Sequence, residues 1–400
     1  MRVLVIDEEF PWPLNTGKRT RSFSLTKALA ERDDVSYLAY GEADSDAVRA
    51  MEACGITCHC VPPPDRRQEG PKFYAKLLMN LVSSLPYIVS SHYTERFARR
   101  LAEVHREKPY DLVVCEWSPY SIFLKSTPEL KSVIVAHNIE ADIWRRYEEN
   151  ETNPLRRWYI SIQRAKVESF ERNCFSWSHG ATAVTDADAQ VIASYGVPYP
   201  VRTVENGVDV GYFVPTESEP DPDALVFTGS MDWRPNQDAV EFFVKEVFPG
   251  IRRERPGARI TVVGRRPPRS IQDLGHVDGV TITGTVDDVR PFVEEAAVFV
   301  VPLRIGGGSR LKILEAMAMG KPVLSTSVGA EGLQVTDGQD IVLADGAEAF
   351  ARATLELLDD RERQRRIARA GRALVEQRYH WDRLADVLHG YLIETLARST

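Results

Sequence analysis

Cysteine is scarce in this chain: five residues in 400, an odd number. The first ten residues, MRVLVIDEEF, hold a short apolar run that meets acidic residues at once. They show no positive region, no long apolar core and no small-residue cleavage site, so no signal peptide is expected. Few cysteines without such a leader suit a reducing cytoplasm and argue against a disulfide-stapled scaffold. No uninterrupted apolar run reaches about 18 residues, so no membrane-spanning helix is predicted. Positive charge is not in excess either. Fifty Lys and Arg against 58 Asp and Glu give a net charge of −8, which argues against a general nucleic-acid binder. No G-x-G-x-x-G follows the first apolar run, so a dinucleotide fingerprint is missing. No aspartate cluster of metal-binding type and no repeat of solenoid period occur. The segment CGITCHC (54–60) gathers three cysteines around His59. A zinc site would want four ligands in two spaced pairs, and Cys115 and Cys174 stand alone. The expectation there is a strand edge whose cysteines act as small apolar residues.

What is present is a series of apolar runs of strand length. RVLVID (2–7), VSYLAY (35–40), DLVVCE (111–116), SVIVAHN (132–138) and GATAVT (180–185) alternate with helical patterns. Runs that are apolar throughout predict a parallel sheet covered on both faces. ENGVDVGYFVPTESEPDPDA (205–224) is rich in Gly, Pro and acid, and reads as a linker. The pattern then restarts with ALVFTGS (224–230), ARITVVG (258–264), VTITG (280–284), AAVFVVPL (296–303) and PVLSTS (322–327). Helices are predicted over 238–248, ended by Pro249, over 348–378, and over the tail from His380. The predicted fold class is α/β, with two Rossmann-like doubly wound domains. The first is 1–205, joined by the C-terminal helix 380–400, and the second is 206–379. Ligands bind such sheets at the carboxyl ends of the strands, and the cleft between two such domains is the expected site.

LRIGGGSRLKILEAMAMGKPV (303–323) stands out. Ser309 suits a helix N-cap, and Gly320 with Pro322 close the helix in the usual order. Arg310 and Lys312 then fall in the first turn, where the helix dipole disfavours cations. Gly306, Gly307 and Gly308 let backbone amides approach a ligand, and Arg310 adds a fork of donors. Together these predict a phosphate or diphosphate site. The alternative is a solvated helix start with Lys312 paired to Glu315. PLNTGKRTRSFS repeats the pattern: Thr16 and Gly17 precede a helix whose first turns carry Lys18, Arg19 and Arg21. This is either a second anion contact or a basic helix surface. His137 ends an apolar strand, where it either binds a substrate hydroxyl or caps a helix together with Asn138. Glu116 has the same placement. In TGSMDWRPN (228–236), Gly229 and Ser230 form a tight turn suited to a backbone contact with a ligand. KFYAKLLMNLVSSLPYI (72–88) either lies on a membrane surface or is a core-facing helix with Lys on its outer face.

GGGSRLKILEAMAMGKPVLSTSVGAEGL resembles the donor-site signature of family 4 retaining glycosyltransferases, which have the GT-B fold. PLNTGKRTRSFSLTKALA resembles that family's N-terminal glycine loop, and AHNIEADIWRR, ENGVDVGYF and FTGSMDWRPN match further stretches. The last helix, with Trp381, resembles the one that crosses back onto the first domain. The resemblance implies a hexosyltransferase (EC 2.4) that uses a nucleotide-diphosphate sugar, UDP or GDP, with no cofactor and no metal. Glu315 would hold the ribose hydroxyls, and backbone around Gly307–Arg310, with Leu311 beside it, would take the diphosphate and the sugar. His137 would lie near the transferred sugar, while Arg265 and Val286 would line the base pocket. The chain departs from the family twice. The paired-glutamate pattern puts an earlier Glu where this chain has Gly307. An Arg and a Lys often follow the first strand of the second domain, where this chain has Ser230 and Pro235. Arg310 and Lys312 are expected to supply part of that missing charge. Retention without an obvious carboxylate nucleophile implies same-face attack, in which the leaving phosphate takes the acceptor's proton. The acceptor stays open among glycan, glycolipid and small molecule. The expected location is cytoplasmic, with peripheral membrane contact through 72–100 as one option. A sugar-nucleotide epimerase of the same architecture and a non-catalytic sugar-nucleotide binder are the alternatives.

Overall fold

The computed structural model describes residues 1–64, 70–216, 218–305 and 310–398. The chain divides into two units, Met1–Glu205 with Leu384–Thr400, and Asn206–Arg383. In the first unit the apolar runs become β1 (Arg2–Ile6), β2 (Asp34–Tyr40), β3 (Thr57–Val61), β4 (Leu112–Cys115), β5 (Lys131–Ala136), β6 (Gly180–Ala183) and β7 (Val201–Thr203). They pair in parallel in the order β3-β2-β1-β4-β5-β6-β7. Leu4, Ile6, Val113 and Ile134 are fully buried, as a sheet covered on both faces requires. β3, which carries Cys58 and Cys60, is the edge strand, in keeping with the sequence reading.

The second unit repeats the plan. Its strands are β8 (Asp221–Thr228), β9 (Arg259–Val263), β10 (Val280–Gly284), β11 (Ala296–Val301), β12 (Val323–Ser325) and β13 (Val342–Leu343). All are parallel, in the order β10-β9-β8-β11-β12-β13. β11 is buried at all six positions and is the spine of the core. The strand order reverses between β1 and β4 in the first sheet and between β8 and β11 in the second. A doubly wound sheet opens a ligand crevice at that reversal, on the carboxyl side of the strands. Each unit therefore nominates its own crevice.

Several sequence expectations need correction. β8 begins at Asp221, inside the stretch read as linker, because Ala296 of β11 pairs with Asp221 and extends the ladder, and the Arg259 guanidinium holds the Asp221 carboxylate. The helix predicted to stop at Pro249 instead runs through it. Helix Arg234–Phe242 passes into a widened π-type turn, Phe243–Val247, and continues as Phe248–Glu254. The wide turn accommodates a proline that has no N–H to donate. After β5 the chain forms two helices, Glu140–Asn150 and Pro154–Trp177. Asn153 caps the second by accepting from the amides of Leu155 and Arg156, and Pro154 sits at its first position. The helix over 72–88 is Pro71–Leu81, and it does not turn its apolar side to the core. Tyr74, Leu78, Met79 and Val82 are exposed, the last by 93%. From Val89 on, the chain does bury its apolar residues, including Phe97 and Leu101.

The tail forms helix Trp381–Ala397 and packs on the first sheet. Tyr391 accepts from the Ala181 amide at 3.0 Å and donates to the Pro200 carbonyl at 2.6 Å. Lys131 donates to the Leu396 carbonyl at 2.8 Å and so closes the helix C-terminus. Among the described residues no helix is long and apolar enough to cross a membrane.

Candidate functional site

In the second unit, β8 delivers Gly229 and Ser230 to the crevice, and β11 leads toward the glycine run. Gly306, Gly307, Gly308 and Ser309 lie outside the described residues. The helix that follows is Leu311–Ala318, with Arg310 at the N-cap in the left-handed region (φ 54°, ψ 12°). Arg310 is thus outside the first turn, contrary to the sequence reading. Its guanidinium is committed elsewhere: Nη2 lies 3.1 Å from Glu331 Oε2, and Nε donates to the Glu331 carbonyl at 3.2 Å. That pairing answers the dipole conflict from within the protein.

Lys312 behaves differently. Its Nζ donates to Asn236 Oδ1 at 2.7 Å and lies 4.3 Å from the Phe227 ring centroid. A Cβ added to Gly229 would meet that Nζ at 2.7 Å, so glycine is what lets the amine reach the end of β8. Asn236 also donates to the Ser230 carbonyl at 2.8 Å and so ties the amine to the turn. Among the described residues no carboxylate pairs with this ammonium. Burial pushes Lys312 down to about 7, against the pull of Glu315. Burial likewise pushes Glu315 up to about 7, against Lys312. Both side chains are half-exposed at the surface yet sit deep among protein atoms. A buried amine next to neutral partners stays poised between its two protonation states.

Arg265 leaves β9 in the same neighbourhood. Its Nε donates to Ser230 Oγ at 2.7 Å, and Ser230 Oγ donates to Asp232 Oδ1 at 2.5 Å. Gly229 and Met231 bond the backbone of Val263 and Arg265, each at 2.9 Å, which locks the two loops together. Gly264 permits this approach: a Cβ there would sit 1.9 Å from the Gly229 carbonyl oxygen. The structure therefore gathers Gly229, Ser230, Arg265 and Lys312, with Glu315 one turn on. Leu311 and Val286 are half-buried against the core of the same unit. Asn236 and Glu331 were not singled out from the sequence. They act through side chains 76 and 21 residues from their partners, and no local pattern marks them.

The crevice of the first unit is built from carboxylates. Lys18 Nζ lies 2.7 Å from Asp7 Oδ1 and 2.8 Å from Glu8 Oε1. Burial alone would lower Lys18, but Asp7 and Glu8 outweigh it and hold the ammonium above its ordinary range. Burial pushes Asp7 up to about 6, in spite of Lys18. Arg19 pairs with Glu9 at 2.5 Å. Arg21 is buried and donates to the carbonyls of Val204 and Glu205 at 2.7 and 2.5 Å. Thr16 caps the helix Gly17–Ala30 by accepting from the Arg19 amide at 3.3 Å. The basic helix start read as a second anion contact is thus answered by the protein's own acids. Asp7 was missed in the sequence, although its place at the end of β1 is the signal used for His137.

His137 and Glu116 meet. His137 Nε2 lies 3.0 Å from Glu116 Oε2, which also accepts from Ser22 Oγ at 2.9 Å. The capping alternative for His137 and Asn138 does not hold. The helix after them starts at Glu140 with Ile139 at the N-cap, and Glu171 takes the amides of Glu140 and Ala141 at 2.7 and 3.1 Å. Among the described residues no three His, Cys, Asp or Glu side chains converge as metal ligands.

Two family models match the chain. "Glycosyltransferase Family 4" matches residues 17–212, and "Glycosyl transferases group 1" matches residues 222–360. An uncharacterised 44.6 kDa protein in the cps region of Klebsiella pneumoniae is 21% identical over 94% of this chain and 96% of its own length. A GDP-mannose-dependent α-(1-6)-phosphatidylinositol monomannoside mannosyltransferase of Mycobacterium tuberculosis is 34% identical, over 36% of this chain and 42% of its own length. Among solved structures, HepE of Anabaena in complex with UDP superposes with a TM-score of 0.68 at 13% identity, covering 98% of this chain and all of that one. One model falls in each unit, and the chain belongs to the group 1 glycosyltransferases of family 4, as a hexosyltransferase of GT-B fold.

Proposed function

We propose that this glycosyltransferase moves a sugar from a nucleotide-diphosphate donor to a hydroxyl of a glycan, glycolipid or small-molecule acceptor, with retention and without a metal. The observation that carries the reading is the amine of Lys312, held at the end of β8 by a neutral amide 2.7 Å away. A diphosphate would supply the missing negative partner and return the amine to its charged form. In the reaction the bond from the anomeric carbon to the diphosphate oxygen breaks, and negative charge grows on the leaving group. The amine, charged once the diphosphate is bound, and backbone amides lower that barrier more than they favour the ground state. The acceptor oxygen bonds to the anomeric carbon on the same face, and its proton passes to the leaving phosphate. Lys312 reaches Asn236, the neighbour of Pro235, so it stands in for the basic residue this chain lacks there. Arg310 is turned to Glu331. Glu315 is assigned to the ribose hydroxyls. The UDP in HepE and the GDP-mannose named for the mycobacterial relative support the two bases as first choices.

Calorimetric titration with UDP, GDP, ADP and TDP, with and without a chelator, tests this. One nucleotide is expected to bind in chelator, and Glu315→Ala to weaken it clearly. Binding by none of the four would overturn the donor-site reading. Consumption of a nucleotide sugar to an isomer without acceptor would favour the epimerase.

The exposed apolar side of helix Pro71–Leu81 is assigned to an anionic bilayer surface, which suits a lipid-linked acceptor. Tyr74, Leu78 and Met79 are exposed there, as are Leu155 and Trp158 beside Arg156 and Arg157 at the start of Pro154–Trp177. Apolar residues beside cations, in a chain of net charge −8, form the local complement to acidic headgroups. Co-sedimentation with phosphatidylglycerol vesicles is expected, and it should fall in Leu78→Ser with Met79→Ser. Equal recovery with and without vesicles would dismiss the assignment.

A further inference from the structure

The first crevice holds a pair that the donor chemistry leaves unexplained. β4 ends at Cys115 and β5 at Ala136, so the parallel register brings Glu116 and His137 side by side just beyond them. The Glu116 side chain is 3% exposed and the His137 ring 10%. One carboxylate oxygen of Glu116 receives both His137 Nε2 at 3.0 Å and Ser22 Oγ at 2.9 Å. Buried Arg21, anchored on two backbone carbonyls, adds its charge behind the carboxylate. Burial alone would push the Glu116 carboxyl up, but His137, Arg21 and Ser22 outweigh it and hold it below its ordinary value. An ionised carboxylate only accepts, so the ring nitrogen facing it must donate. When the ring is neutral, its single proton is then the one on Nε2, and Nδ1 is left as an acceptor. Among the described residues, none bonds the other nitrogen, Nδ1.

We propose that Glu116 is a positioning residue that fixes His137 as its Nε2–H tautomer, so that Nδ1 accepts a hydrogen bond from a hydroxyl of the sugar substrate. This rests on the functional reading above and on the place of His137 just past the carboxyl end of β5, where such sheets bind ligands. The arrangement is the one by which a carboxylate selects which nitrogen of a working histidine is free. Ser22 and Arg21 serve the same end, since they keep the Glu116 carboxylate in place and ionised.

Long-range proton–nitrogen spectra of the full-length 15N-labelled protein read the tautomer directly, with the His137 signals assigned by their loss in His137→Asn. Nδ1 is expected at the shift of an unprotonated nitrogen in the wild type, and as a tautomer average in Glu116→Ala. Activity is read as nucleoside diphosphate release from UDP-glucose and GDP-mannose with water as acceptor. Glu116→Ala is expected to lower kcat about tenfold with donor KM nearly unchanged. Glu116→Gln, which keeps an acceptor oxygen, should recover most of that loss. Glu116→Ala should add nothing in a His137→Ala background. A protonated Nδ1 in the wild type would overturn the proposal, as would full additivity of the two alanine variants. If no nucleoside diphosphate binds, the donor reading fails, and the nitrogen shifts still decide the role of Glu116. Should Glu116→Ala not fold, Glu116→Gln and the wild-type spectrum carry the test.

Discussion

Each sheet presents a lysine at the point where its strand order reverses, and the two are treated in opposite ways. Lys18 meets two carboxylates within 2.8 Å. Lys312 meets the oxygen of Asn236 at 2.7 Å, and its proton affinity falls to about 7. The first ammonium is a fixed structural charge. The second is held in a setting that an arriving anion would complete. A cation near a helix start is therefore not one signal but two. What separates them is the charge of the partner that folding brings.

Removing each lysine should separate the two roles, and the largest effect is expected from the first. Lys18→Met takes the ammonium away from buried Asp7 and should destabilise the fold by about 3 kcal/mol, as breaking a buried ion pair does. Denaturant unfolding would show it, with nucleotide affinity unchanged. Stability equal to wild type would dissolve the contrast. Lys312→Met should instead weaken the nucleoside diphosphate by about 2 kcal/mol, roughly thirtyfold in Kd, because it removes a charge-assisted contact. Calorimetry would read this alongside an unfolding midpoint no lower than that of wild type. The smallest effect is on pH. Free Lys312 is mostly neutral above about 7, whereas the diphosphate complex needs it charged. Binding above pH 7 then takes up a proton, and affinity should fall as pH rises from 7 toward 9, by less in all than the roughly thirtyfold lost with the amine itself. Glu315, which ionises over the same range and repels the anion, acts in the same direction. Below pH 7 the lysine is already charged and gives no further gain. Titrations in buffers of different ionisation enthalpy would report the proton, and a flat profile would place Lys312 away from the phosphates.

Much of this could be read from the chain. The strands were legible because a run such as AAVFVV, buried at all six positions, has no alternative to the centre of a parallel sheet. β7 and β13, of three and two residues, were not read, since so short a ladder is set by its neighbour and not by its own pattern. Pro249 misled because a widened turn upstream let the helix pass it. The helix Pro71–Leu81 misled because an apolar face predicts burial without saying against what. At the site, Gly229, Ser230 and Lys312 were singled out by residue type and position, and Glu315 through the family resemblance. That Arg310 turns to Glu331, and that Asp7 and Glu8 occupy Lys18, could not be read from spacing.

The sequence by itself determined the two parallel sheets, and with them the two edges where ligands can bind. Alternation of apolar runs and helices leaves few other topologies, and chirality fixes the crossovers. Only the tertiary structure decided which charges remain available there. Coulomb interaction depends on distance and on what else is buried nearby, and the partners that settle it lie 10 and 11 residues away for Lys18 and 76 for Lys312.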